Sequence, residues 1–258
     1  MDSSERLDAR ALLCIGIALR TWSSAYAAIA YALAAFTPGE VAFVRLAIGA
    51  LCFAGLMAAR RVPLPARRDW PALAVLGVLG LTVYHLCLNY AETRIASGTA
   101  AILISLIPAA TTALSAVWLR ERLPPAAVAG LGVALAGVIL VVLASGKEVK
   151  LEPMAALVLV SVIVSAVYWV GVKPLFLRSS ALAVTAFTFY AGALAALPFA
   201  AHLPQALATA RPAHLAALLW LGIAPTFIGY LTPGTPRCGA PPPRRCRASS
   251  TCRRRSRS

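Results

Sequence analysis

Ala96 to Leu143, ASGTAAILISLIPAATTALSAVWLRERLPPAAVAGLGVALAGVILVVL, decides the architecture of this chain. It reads as two membrane-crossing helices joined by the short charged corner Leu119-Arg120-Glu121-Arg122-Leu123. The first arm, Ala96 to Trp118, is apolar but carries small and polar residues at Ser97, Ala101, Ser105, Pro108, Thr112 and Ser115. Their steps of four and three place them on one helical face. Pro108 falls mid-arm, where the carbonyl four residues earlier loses its donor, so a kink is expected. Pro124-Pro125 opens the second arm, whose Gly130, Ala134 and Gly137 are expected to let another helix approach closely.

The composition extends this reading to the whole chain. The 258 residues are 60% hydrophobic and 13% charged, with a mean hydropathy of +0.79, a balance that ordinary soluble domains do not reach. The expected fold is therefore all-α, a polytopic membrane protein. A helix needs about 20 apolar residues to cross the hydrocarbon. The candidate spans are residues 11–35, 41–59, 70–90, 96–118, 125–144, 154–172, 181–201 and 213–232. Residues 1–10 carry mixed charge and no cleavage site follows, so the first span reads as retained and not as a signal peptide.

The net charge of +15 belongs mostly to the end of the chain: Pro233 to Ser258 holds eight arginines and no acid, leaving 16 basic against 9 acidic residues in the body. Between spans, ten basic residues from Arg6 to Arg178 fall on the N-terminal side of the membrane, against Arg94, Lys147, Lys150 and Arg211 opposite. That excess predicts a cytoplasmic N-terminus, residues 1–10. None of the six cysteines makes a CxxC pair, so no metal or redox centre is expected. There is no HExxH, GxSxG or GxGxxG and no clustered carboxylate pair, which argues against an enzyme.

Polar residues inside apolar spans are the candidate site, because an intramembrane charge facing lipid costs at least ~2.5 kcal/mol. In the first span Arg20 and Ser24 stand beside Trp22 and Tyr26. Arg20 is either a functional cation or an arginine snorkelling to the surface. Arg45 in the second span lies about 6 Å below its outer end at 1.5 Å per residue, and either reaches the headgroups or faces the bundle. Thr82, His85, Asn89 and Glu92 form one polar stripe on the third span. Glu92 is a candidate partner for Arg45, and His85 is either a pore-lining group or a packing residue. Ser161, Ser165 and Tyr168 share a face of the sixth span, and Pro225 interrupts the eighth. Arg20, Ser24, Arg45, His85, Asn89, Ser105, Thr112, Ser165 and Tyr168 are the candidate substrate-binding residues, with helix kinks at Pro108 and Pro225.

These motifs, in this order, resemble the EamA family of the drug/metabolite transporter superfamily. The resemblance is carried by Arg20-Thr21-Trp22-Ser23-Ser24-Ala25-Tyr26, Phe43-Val44-Arg45-Leu46, Asn89-Tyr90-Ala91, Ile95-Ala96-Ser97 and the corner at Leu119-Arg120-Glu121-Arg122-Leu123. Ser23 and Arg120 stand where glycine is commoner in the family. The resemblance implies a secondary transporter in a bacterial inner membrane, exporting small metabolites, amino-acid-like compounds or drugs by alternating access. Its fold would be ten helices in an inverted 5+5 repeat, without a cofactor. Arg45 and Arg20 would attract a carboxylate, while hydroxyls would hold uncharged parts. Partners would be the small-molecule substrate, the lipid bilayer and, as a homodimer, a second copy of the chain, with no nucleic acid.

Weak self-similarity supports two halves. Val41 to Leu51 can be laid on Val184 to Leu194 at an offset of 143, with Gly49 on Gly192, and Gly77 falls on Gly222 at an offset of 145. Residues 11–144 would be the first repeat and 145–232 three helices of the second, so about eight of ten spans are expected here. Residues 233–258 read as a basic low-complexity tail. Shifting the codons of that tail by one base permits apolar stretches such as Ser-Phe-Leu-Tyr-Leu-Pro-Pro-Ala-Val-Ala, similar to the family's ninth helix, so a frameshift is expected after Thr232. Without helices nine and ten the chain would be a non-transporting membrane protein, which is the alternative to a transporter.

Overall fold

The computed structural model describes residues 9–120, 125–144 and 153–231. Their long helices are α1 (Ala9–Ala32), α2 (Pro38–Ala59), α3 (Arg67–Glu92), α4 (Ser97–Trp118), α5 (Pro125–Ala144), α6 (Ala155–Phe176), α7 (Ala181–Ala200) and α8 (Pro212–Leu231). There is no strand among the described residues. Six helices, α2, α3, α4, α6, α7 and α8, are long and apolar enough to cross a membrane. With 24 and 20 residues, α1 and α5 have the length as well. Glu121 to Pro124, residues 145–152 with Lys147 and Lys150, and the basic tail with its expected frameshift lie outside the described residues.

Local chemistry sets the helix ends. Thr37 and Glu40 form a reciprocal capping box at the start of α2: the Thr37 amide donates to Glu40 Oε2 at 2.8 Å and the Glu40 amide to Thr37 Oγ1 at 3.3 Å. Thr37→Ala is expected to cost about 1 kcal/mol, read as a lower unfolding midpoint in detergent, with Thr37→Ser retaining most of it. The helix of the fourth span breaks at Ser105-Leu106, and Pro108 sits in the first turn of the segment that follows, where its missing N–H matters least. Past α4, Arg120 has φ of 52°, the left-handed region that glycine enters without penalty.

The helices cross through glycine contacts. A Cβ at Gly49 would lie 2.8 Å from Thr226 Cγ2, and one at Gly192 would lie 3.1 Å from Leu81 Cβ. At Gly222 it would meet Ile48 Cβ at 2.6 Å, and at Gly77 it would meet Ala191 Cβ at 3.1 Å. Each first contact maps onto its second under the offsets of 143 for α2 onto α7 and 145 for α3 onto α8. Gly130 and Gly137 do not do this: nothing lies within 4 Å of where their Cβ would stand, and α5 touches chiefly α4. The expected close approach is made instead by glycines of α2, α3, α7 and α8, where helices are packed on several sides and a side chain has no room.

The connections meet in two sets at opposite ends of the bundle. Arg178, after α6, donates to Asp69 before Trp70 at 3.2 Å. Asn89, near the end of α3, donates to the Pro38 carbonyl at 2.9 Å. Outward-facing side chains such as Leu51, Ile163, Leu194 and Leu219 are apolar and exposed, as a lipid-facing surface requires.

Candidate functional site

The site begins with a proline that breaks a hydrogen-bond ladder. Pro225 has no N–H to give the carbonyl of Leu221, four residues before it. The Thr226 hydroxyl fills that place, donating to Leu221 O at 2.7 Å. Having donated, the same oxygen accepts Arg45 Nε at 3.2 Å. The surrounding turn, Gly222–Ile228, is a π-helix, and its Pro225 carbonyl accepts the Trp22 indole N–H at 3.0 Å. Thus α1 and α2 are both tied to the interrupted turn of α8. A second π turn, Val78–Val83, lies at the matching place of α3, where Thr82 donates to the Gly192 carbonyl at 2.7 Å.

Arg45 therefore does not pair with Glu92, as its depth had suggested. Glu92 Oε2 accepts the Ser97 hydroxyl at 3.2 Å, and no Arg45–Glu92 ion pair forms among the described residues. Each group has a hydroxyl partner on another helix instead, Thr226 of α8 for Arg45 and Ser97 of α4 for Glu92. Arg45 is 5% exposed, and its Nη1 has no hydrogen-bond partner among the described residues.

Beside Arg45 opens a cavity of about 400 Å³. Its walls come from α1, α2, α3, α4, α6 and α8: Tyr26 and Ile29, Arg45, Tyr84 and His85, Ser105 and Pro108, Ser165 and Trp169, and Pro225 and Tyr230. Four of the candidate residues, Arg45, His85, Ser105 and Ser165, meet here with both prolines. The other five do not line it. Arg20 is exposed on α1. Ser24 accepts the Trp220 indole N–H at 3.1 Å, Asn89 is committed to Pro38, and Thr112 is half-buried further along α4. Tyr168 is 1% exposed, its hydroxyl 3.2 Å from Thr188 Oγ1 on α7.

Sequence reasoning missed the aromatic wall. Trp169 stacks on Tyr230 at 5.6 Å and 17°, and Tyr230 stands edge-on to Trp22 at 6.1 Å. Tyr84 meets His85 edge-on at 4.9 Å. Only Trp22 and Tyr26 were flagged by a motif. The available signal for the rest was position: Trp169 follows Tyr168 on the polar face of α6, and Tyr230 lies one turn after Thr226. No group of three or more His, Cys, Asp or Glu side chains able to hold a metal occurs among the described residues.

Apolar helices of membrane-spanning length around a cavity of about 400 Å³ that gathers Arg45, His85, Ser105 and Ser165, two of the helices opened by π turns, define a membrane transporter. The chain belongs to the EamA-like transporter family, whose model matches residues 9–143. A protein of Streptantibioticus cattleyicolor named "Probable terminal-alkyne amino-acid exporter" is 31% identical over 225 residues, covering 87% of this chain and 75% of its own. The "Pseudopaline exporter CntI" of Pseudomonas aeruginosa is 35% identical over 122 residues, covering 47% of this chain and 42% of its own. A solved crystal structure is similar with a TM-score of 0.65 and 25% identity, over 90% of this chain and 81% of that one.

Proposed function

We propose that this chain is a secondary exporter that moves small metabolites, amino-acid-like compounds or drugs out of the cell by alternating access. The observation that carries the reading is the cavity itself, walled by α1, α2, α3, α4, α6 and α8, with Pro225 of the α8 π turn in its wall. The outward direction rests on relatives named as exporters. The two-repeat reading of residues 11–144 and 145–232 is supported by the glycine contacts that exchange under the sequence offsets. The excess of basic residues on one set of connections supports an inner membrane with the N-terminus in the cytoplasm.

The test is reconstitution of the full chain in proteoliposomes loaded with labelled amino acids and hydrophobic amino-acid analogues. Saturable efflux above protein-free vesicles is expected for at least one of them. Efflux no faster than from empty liposomes across the set would favour the alternative, a membrane protein of this family that does not transport.

A further inference from the structure

We infer that the cavity takes an organic monocarboxylate, its head on Arg45 and its uncharged body against Trp169 and Tyr230, with no requirement for an ammonium group. This rests on the exporter reading and narrows it. Among the described residues that line the cavity, Arg45 is the sole formally charged side chain, and none is Asp or Glu. Arg45 lines the cavity with its Nε spent on Thr226, while its buried Nη1 has no partner among the described residues. A buried guanidinium left without an anion is costly, and its planar fork matches a carboxylate.

The neighbouring groups agree. His85, 1% exposed, lies in the same wall as Arg45 and adds a second polar side chain beside it. The stacked pair Trp169 and Tyr230 offers a flat apolar face, continued by Ile104 on α4. A volume of about 400 Å³ lies in the range of about 300–1,000 Å³ that encloses drug-sized ligands. A cation entering this space would meet Arg45 without a counter-charge, so cationic drugs are selected against.

The experiment uses the full chain in nanodiscs and four probes of nearly one shape: 4-phenylbutanoate, its amide, 4-phenylbutylamine and 2-amino-4-phenylbutanoate. Binding is followed by tryptophan fluorescence, since Trp22 and Trp169 line the cavity, and by calorimetry. The carboxylate and the amino acid are expected to bind within about tenfold of each other, the amide at least about tenfold more weakly, and the amine more weakly still. Arg45→Gln should make carboxylate and amide equal, and Arg45→Lys should fall between. Equal binding of carboxylate and amide by the unmodified protein overturns the inference even if both variants fail to fold. So does preference for the amine, or binding of none of the four. Carboxylate binding that depends on Arg45 without efflux from proteoliposomes upholds the subsite and sinks the exporter reading.

Discussion

Gly80→Val is expected to cost about 3 kcal/mol and to prevent recovery of a monodisperse protein in detergent. Gly80 lies in the π turn of α3, and a Cβ there would collide with Tyr168 Cβ, Cγ and Cδ2 on α6. Tyr168 has no room to retreat. It is 1% exposed, and its hydroxyl is held against Thr188 of α7. The collision is with the root of the ring, so α3 and α6 must separate. Gly55 in α2 is the contrast, because nothing lies within 4 Å of its Cβ position. Gly55→Ala is expected to be neutral or to raise the unfolding midpoint, through better helix propensity. A Gly80→Val protein that elutes and melts like the unmodified chain would refute the packing described at this crossing.

Tyr230→Ala is expected to cost about 3 kcal/mol or more and to remove efflux with it. Tyr230 joins the cavity to the core behind it. Its ring is 5.6 Å from Trp169, 5.1 Å from Phe189, 6.1 Å from Trp22 and 6.4 Å from Tyr168. In a bilayer the surrounding lipid is as apolar as the protein interior, so the loss comes from packing and ring contacts and not from hydrophobic transfer. Tyr230→Phe keeps those contacts and should melt close to the unmodified protein. If Tyr230→Ala does the same, the aromatic wall is not holding α6, α7 and α8 together.

What the sequence determined by itself was the set of membrane segments. All eight expected spans coincide with a helix to within a few residues at most ends, because the hydrocarbon thickness demands about 20 apolar residues whatever the fold. The family was legible for a related reason: small residues recur wherever helices must approach closely. Burial of Arg45, His85 and Ser165 followed from the cost of polar groups facing lipid.

Partners, however, were decided only in three dimensions. Arg45 is held by Thr226, 181 residues away, and not by Glu92, since which of several polar groups lies nearest depends on how six helices cross. Arg20, Ser24, Asn89, Thr112 and Tyr168 share the periodicity of the cavity residues yet stand outside it. Periodicity gives a helix face, not the neighbour that face meets. The π turn in α3 has no proline to announce it, and the ring wall of Trp169 and Tyr230 exists only because α6 and α8 bring two aromatic side chains to one place.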